Sequence, residues 1–311
     1  MKRLQNRIAV STLTLPVAGC IGVLVWLLSG LIEGNWWLQI ACFIVSCYLM
    51  VELANNNALL RVRSRMVTST FIILSCAASP LFSSLRGAIT QVCVIASIRF
   101  FFQTYRQQES VGHIYFGFLF FALASLAFPQ VLYLVPFLMI LMATQLQSFS
   151  IRGFFASLFG LITPYWLLLP WFIYQQDFSP LSNHLSQLGL FATPYQDIHP
   201  TVGLIVFFTL MVILSITGII HFWLRSYEDK IRNRLLYGFF TSMLLLCIFF
   251  VLVQPQHAEV LIRLIIVFAS PLIAHFFTHT DSRITNIVFI VATLMLAALI
   301  IFNLWMPSLT F

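Results

Sequence analysis

The chain reads as long apolar stretches separated by short polar segments, without the apolar/polar alternation that a membrane β-strand requires. A helix needs about 20 apolar residues to cross a hydrocarbon core about 30 Å thick. Eleven segments approach that length, near 8–30, 36–54, 67–84, 87–105, 112–128, 130–146, 151–174, 200–224, 235–253, 259–278 and 284–306. The pattern predicts an all-α, polytopic transmembrane helical bundle of about eleven spans, a single transmembrane domain over 1–311. The pairs 67–84/87–105 and 112–128/130–146 are joined by almost nothing. Each is therefore a tight hairpin or contains a helix that stops short, which sets the range at nine to eleven.

The first span follows Met1-Lys2-Arg3 and Arg7, like the basic region of a signal peptide. Its apolar length exceeds that of a signal sequence, and Leu27-Leu28-Ser29-Gly30 offers no small-residue cleavage site, so a retained anchor is expected. The longest polar stretch, 175–199, is an outer loop without Lys or Arg. Within it Ser179-Pro180 has the form of an N-cap followed by Pro at the first helical position, and Leu181, Leu185 and Leu188 recur at helical spacing before Gly189. A short interfacial helix is expected there. Prolines 16, 136, 164, 170 and 271 fall inside spans, and Gly160 to Trp166 is the clearest candidate for a break.

Composition removes the alternatives. Apolar residues make up 60% of the chain and charged residues 8%, with 32 Phe, and the mean hydropathy is +0.97. A soluble domain is about one-quarter charged, so a water-facing surface cannot be built from this chain. The net charge of +7 is dispersed between spans rather than clustered, which argues for topology signals and against a nucleic-acid partner. With the N-terminus inside, the inner segments hold Lys2, Arg3, Arg7, Arg61, Arg63, Arg65, Arg99, Arg106, Arg152, Arg225, Lys230, Arg232, Arg234 and Arg283, fourteen of sixteen basic residues. Trp26, Trp36, Trp37, Trp171 and Trp305 fall near outer boundaries, where indole rings favour the headgroup zone. The six cysteines lie in apolar runs without a CxxC pair or metal-ligand spacing, so neither a metal nor a cofactor is indicated.

Two basic residues break the charge rule. Arg86 sits at the apex of the first hairpin and Arg263 lies one helical turn after Glu259, both toward the outer face. An arginine at that depth snorkels, pairs with an acid or faces a wet cavity. Glu259 and Arg263 have the spacing of a helix ion pair. Alternatively, Arg86 and Arg263 converge on an anion, since a guanidinium fork matches phosphate. His257, Glu259, His184, Asp197 and His199 lie nearby in the topology and would supply acid–base groups to a transferase acting on a lipid-linked phosphate. The inner segments 55–65 and 225–234 combine Arg with Asn or acids and read as topology anchors contacting anionic lipid, with Glu52 paired to one of these arginines.

Ala54-Asn55-Asn56-Asn57-Ala58-Leu59-Leu60, Ser79-Pro80-Leu81, His113-Ile114-Tyr115-Phe116-Gly117 and Gly160-Leu161-Ile162-Thr163-Pro164-Tyr165 together resemble an uncharacterised family of polytopic inner-membrane proteins of Bacteroidota over the first 175 residues. The resemblance implies a Gram-negative inner membrane. The outer arginines are also faintly similar to those of integral-membrane glycan polymerases, but the large outer loop with acidic motifs is missing or much reduced. Three readings follow. The first is a protein binding an anionic, lipid-linked phosphate or pyrophosphate substrate at the periplasmic leaflet, a glycan transferase or polymerase among the options. The second is a scaffold or assembly subunit that meets a membrane-protein partner through small residues such as Gly19, Gly22, Ala122 and Ala124. The third is a transporter, for which repeats and mid-depth acids are lacking.

Overall fold

The computed structural model describes residues 3–62, 64–189 and 201–305. Among them are thirteen α-helices: α1 (Leu4–Val10), α2 (Thr14–Leu28), α3 (Trp37–Asn56), α4 (Met66–Ala77), α5 (Leu85–Gln103), α6 (Val111–Ala127), α7 (Val135–Thr144), α8 (Ile151–Gln175), α9 (Ser179–Gly189), α10 (Val202–Arg225), α11 (Ile231–Val253), α12 (Ala258–His279) and α13 (Arg283–Trp305). The described residues contain no strand. The chain is a helical, multi-pass membrane protein.

Seven helices, α3, α5, α8 and α10 to α13, are long and apolar enough to cross a membrane. Each of the other four segments read from the sequence holds a shorter helix. α1 and α2 meet at 89°. α4 spans only 12 residues and yields to a 3-10 turn at Ser79–Leu81. α6 has 17 residues and α7 has 10, the latter preceded by a 3-10 segment at Pro129–Leu134. Prolines explain these breaks: Pro80 and Pro129 open the 3-10 segments, where a missing N–H costs nothing. Pro16 and Pro136 likewise sit in the first turns of α2 and α7. Gly160 to Trp166 is not a break, because α8 runs through Pro164 and Pro170 without interruption.

α12 is the axis of the bundle. Every residue from Val260 to Phe277 is buried, with α4, α5, α10 and α11 packed around it. A helix apolar on all sides is one that has protein on all sides. α3 shows the opposite: only Ser46, Met50 and Leu53 are buried, and the rest of its apolar surface is available to lipid. Small residues serve this packing from within. A Cβ on Gly22 would lie 3.2 Å from Ile72, and Ala122 and Ala124 are fully buried, so these positions are used inside the bundle. Gly19 alone of the four has nothing within 4 Å.

Hydrogen bonds gather the polar segments at two ends. At one, Arg106 N–H donates to the Leu146 carbonyl (2.9 Å) and Ser150 Oγ to the Gln108 carbonyl (3.2 Å), joining the α5–α6 and α7–α8 connections. Asn233 Nδ2 donates to the Ala58 carbonyl and Arg232 Nη2 to Asn57 Oδ1, both at 2.8 Å, joining α11 to the α3–α4 connection. Gln5 Nε2 donates to Thr280 Oγ1 (2.6 Å), fastening α1 to the α12–α13 turn. This basic end carries all the described Lys and Arg residues except Arg86 and Arg263. At the other end Gln39 Nε2 reaches the Ser83 carbonyl (3.2 Å), and Asn303 Nδ2 the Ala77 carbonyl (2.8 Å).

Candidate functional site

Sequence reasoning placed the chemistry at the less basic end. There Arg263 is 6% exposed and Arg86 is exposed. The Arg263 guanidinium donates from Nη1 to Gln91 Oε1 (3.2 Å) and from Nη2 to the Leu81 carbonyl. The physical reason lies in the fold. α4 ends at Ala77 and the chain turns through the 3-10 segment Ser79–Leu81, whose Leu81 carbonyl accepts from Ser84 N–H (3.1 Å) and also from Arg263. The cavity beside the guanidinium, bounded by Phe82 and Ser75, has a volume of about 10 Å³, the size of one water. It cannot admit a phosphate. Arg263 is held by the protein's own acceptors, and Arg86, next to the Gly87 that Arg263 packs on, is exposed. Glu259 is exposed, and no ion pair joins it to Arg263 among the described residues. The His257 ring stacks edge-on against Phe128 (5.2 Å), and the His184 ring lies 6.2 Å from Tyr165. Asp197 and His199 lie outside the described residues.

Two other local expectations change. Trp26 is not at an interface: it is 1% exposed and stacks on Phe82 at 3.9 Å, sealing the Arg263 region. The short helix of the outer loop begins at Ser179, but its capping oxygen belongs to Asp177, whose Oδ1 accepts from Ser179 N–H at 2.9 Å. That bond, and the Ser179 hydroxyl, hold the Asp177 carboxyl below the usual carboxylate range.

The basic end holds an assembly that sequence reasoning missed. Asp229, its side chain 1% exposed, follows α10 and the 3-10 turn at Ser226–Glu228. Its Oδ1 accepts from Arg61 Nε at 2.6 Å and its Oδ2 from His275 Nε2 at 3.1 Å. Burial alone would push this carboxyl up, but the hydrogen bonds and charge of His275 and Arg61 outweigh it and hold the group well below the ordinary carboxylate range. The Asp229 bond in turn raises the Arg61 guanidinium above its usual value. Arg61 Nη1 also meets Glu228 Oε2 at 2.5 Å, and Arg225 Nη1 meets Glu228 Oε1 at 2.8 Å.

Three imidazoles complete the cluster. The His275 and His279 ring centroids lie 4.5 Å apart, and His221 on α10 lies 5.6 Å from His275. A carboxylate only accepts, so His275 carries its proton on Nε2. Arg61 N–H donates to His279 Nε2 at 3.4 Å. The Nδ1 atoms of His275 and His221 are buried without a hydrogen-bond partner. No group of three or more His, Cys, Asp or Glu among the described residues is arranged to hold a metal ion. What the arrangement does is fix the segment around Arg61 to the ends of α10 and α12.

That segment borders a polar cavity of about 510 Å³, with Asn55, Arg61, Ser64 and Arg65 on its wall. Arg61 is committed to two acids, whereas Arg65 is exposed and has no acidic partner among the described residues. Glu52 does pair with an arginine, but with Arg99 (2.6 Å) rather than one from the loops. The sequence signal for the cluster was present: histidines at i and i+4 in an apolar helix are intramembrane ionisable groups, each a functional candidate. Asp229, the partner of His275, is 46 residues away in the chain and only folding joins them.

Fold and site define the class as a multi-pass helical membrane protein with a cationic polar site at one end. Comparison with protein-family models, with curated proteins and with solved structures returns no match.

Proposed function

We propose that this chain crosses a bacterial inner membrane eleven times, with its N-terminus and basic end in the cytoplasm, and that it binds an anionic, lipid-linked molecule by its headgroup at that end. The positive-inside rule supports the orientation, and the gathering of alternate connections at one end supports the count. The observation that carries the binding reading is the polar cavity beside Arg65, whose guanidinium is free to present a fork of donors to phosphate. In this reading the site lies at the basic, cytoplasmic end, while at the opposite end Arg263 is engaged by the protein's own Leu81 carbonyl.

Retention of phosphatidylglycerol by the protein in phosphatidylcholine nanodiscs, counted by native mass spectrometry, tests this. Arg65→Gln should lower retention about tenfold, equivalent to about 1.4 kcal/mol, and Arg86→Gln should leave it unchanged. Loss with Arg86→Gln alone would return the site to the periplasmic leaflet. Absence of retention by the unmodified protein would favour a scaffold without a bound lipid.

A further inference from the structure

α1 lies at right angles to α2, and beneath this elbow the bundle leaves an apolar cavity of about 350 Å³. Val17 and Ile21 of α2, Ile73 of α4, Leu214 of α10, and Phe289 and Leu296 of α13 form much of its wall. The hydroxyl residues that also line it do not make it polar. Thr14 Oγ1 donates to the Ile8 carbonyl, Ser69 Oγ to Arg65 and Thr293 Oγ1 to Phe289, so these donors are spent on backbone and leave hydrocarbon toward the cavity.

Such a space is not ordinary packing. Protein interiors are filled to crystal density, whereas this space opens on the flank of the bundle, where Leu13, Val17 and Ile21 are exposed, so an apolar chain can enter it from the side. The volume falls in the range of about 300–1,000 Å³ typical of ligand sites. Its depth is also informative. From Thr14 to Ile21 on α2 and from Met66 to Leu74 on α4 the wall rises about 10–12 Å from the basic end. That is most of one leaflet of a hydrocarbon core about 30 Å thick.

Ile8 and Met66 line the cavity, and each directly follows an arginine, Arg7 and Arg65. Ser64 Oγ donates to the Ala9 carbonyl, which stitches α1 to the segment carrying Arg65. Arg7 and Arg65 are both exposed and lack acidic partners among the described residues, whereas Arg3 is paired with Asp281 at 3.3 Å. An apolar slot most of one leaflet deep, with lining residues Ile8 and Met66 adjoining in the chain two arginines that lack acidic partners among the described residues, is complementary to an amphiphile with a negative head.

We infer that the cavity beneath the α1–α2 elbow holds one acyl chain of an anionic glycerophospholipid from the cytoplasmic leaflet, with its phosphate between Arg7 and Arg65. The inference rests on the binding reading above and identifies the chain-binding half of that site. A glycerophospholipid matches the slot because its chain ends at the bilayer midplane; a long polyprenyl chain would overrun it.

The experiment uses the full chain in phosphatidylcholine nanodiscs containing phosphatidylglycerol with a diazirine near the end of one acyl chain. After illumination, adducts mapped by peptide mass spectrometry should concentrate on residues 14–21, 69–74 and 289–296. Thr293→Trp, at an exposed position on the rim, should lower those adducts about fivefold or more, equivalent to about 1 kcal/mol. Val17→Trp, also exposed, should do the same and guards against a defect peculiar to one variant. Adducts spread evenly over all lipid-facing helices, or left unchanged by both tryptophans, would overturn the inference. So would efficient competition by a polyprenyl phosphate but not by unlabelled phosphatidylglycerol. Scattered adducts with Arg65-dependent headgroup retention would sink the chain site alone. Concentrated adducts from diazirine phosphatidylcholine and phosphatidylglycerol alike would sink the headgroup reading and leave the slot.

Discussion

Asp229 is the residue on which the basic end turns, because one buried carboxylate satisfies both a guanidinium and an imidazole. Removing it leaves two donors unmatched, and Asp229→Ala should destabilise the folded protein by about 1–3 kcal/mol in detergent thermal unfolding. The pH dependence has a definite sign. A carboxyl whose folded value lies below its unfolded value of about 4 contributes stability that is complete above about pH 4 and disappears as pH falls through the folded value. Asp229→Asn should therefore flatten the acid limb of the stability profile below about pH 4; an unchanged limb would remove Asp229 from its cause. At the other end, Gly87 allows Arg263 to lie flat. A Cβ there would sit 2.8 Å from Arg263 Cδ and 2.9 Å from Nε. Gly87→Ala should cost about 1–3 kcal/mol by prising the guanidinium from Leu81. Gly19→Ala, with nothing within 4 Å, should cost nothing in the same measurement.

Helices follow the same logic of close approach. α6 and α8 touch where Gly160 faces the backbone of α6, and a Cβ at that position would lie 2.6 Å from the Tyr115 carbonyl oxygen. Backbone cannot rotate aside as a side chain can, so Gly160→Ala should separate the pair and lower the unfolding temperature more than Gly87→Ala does. Double-cysteine crosslinking across α6 and α8 would report the separation, and an unaffected crosslinking rate would argue against it. Gly160-to-Trp166 was legible in the sequence as special, but the helix does not break there. Small volume at 160 and two hydroxyl contacts, Tyr115 OH with Thr163 Oγ1 at 3.1 Å and Ser125 Oγ with Tyr165 OH at 2.7 Å, bind α8 to α6 while the helix continues. α12 makes the complementary point. It carries Arg263 near one end and His275 near the other, so one helix, buried on all sides, serves both polar centres.

The whole molecule presents a basic end and an apolar flank, and its orientation can be read with single cysteines introduced into a cysteine-free background. Cysteines at Gln108 and Ser282 should resist a membrane-impermeant maleimide in intact cells, and those at Ser83 and Gln256 should react; the reverse pattern would invert the proposed topology. The apolar run lengths and the sparse charge determined by themselves that this is a helical membrane bundle, because lipid demands that backbone polar groups be satisfied within each helix; of the eleven segments they marked, seven hold helices long and apolar enough to cross a membrane. They also marked Arg263 as exceptional. What tertiary structure decided is where the exceptional groups look. Arg263 turns inward to Gln91 and to the Leu81 carbonyl of the 3-10 turn, Trp26 is drawn into the core by Phe82, and Asp229 reaches His275 and Arg61 only when three distant stretches meet at one end. Local hydropathy reports the cost of leaving water, which each segment bears alone. A buried charge is set by the partner it finds, and that partner comes from elsewhere in the chain.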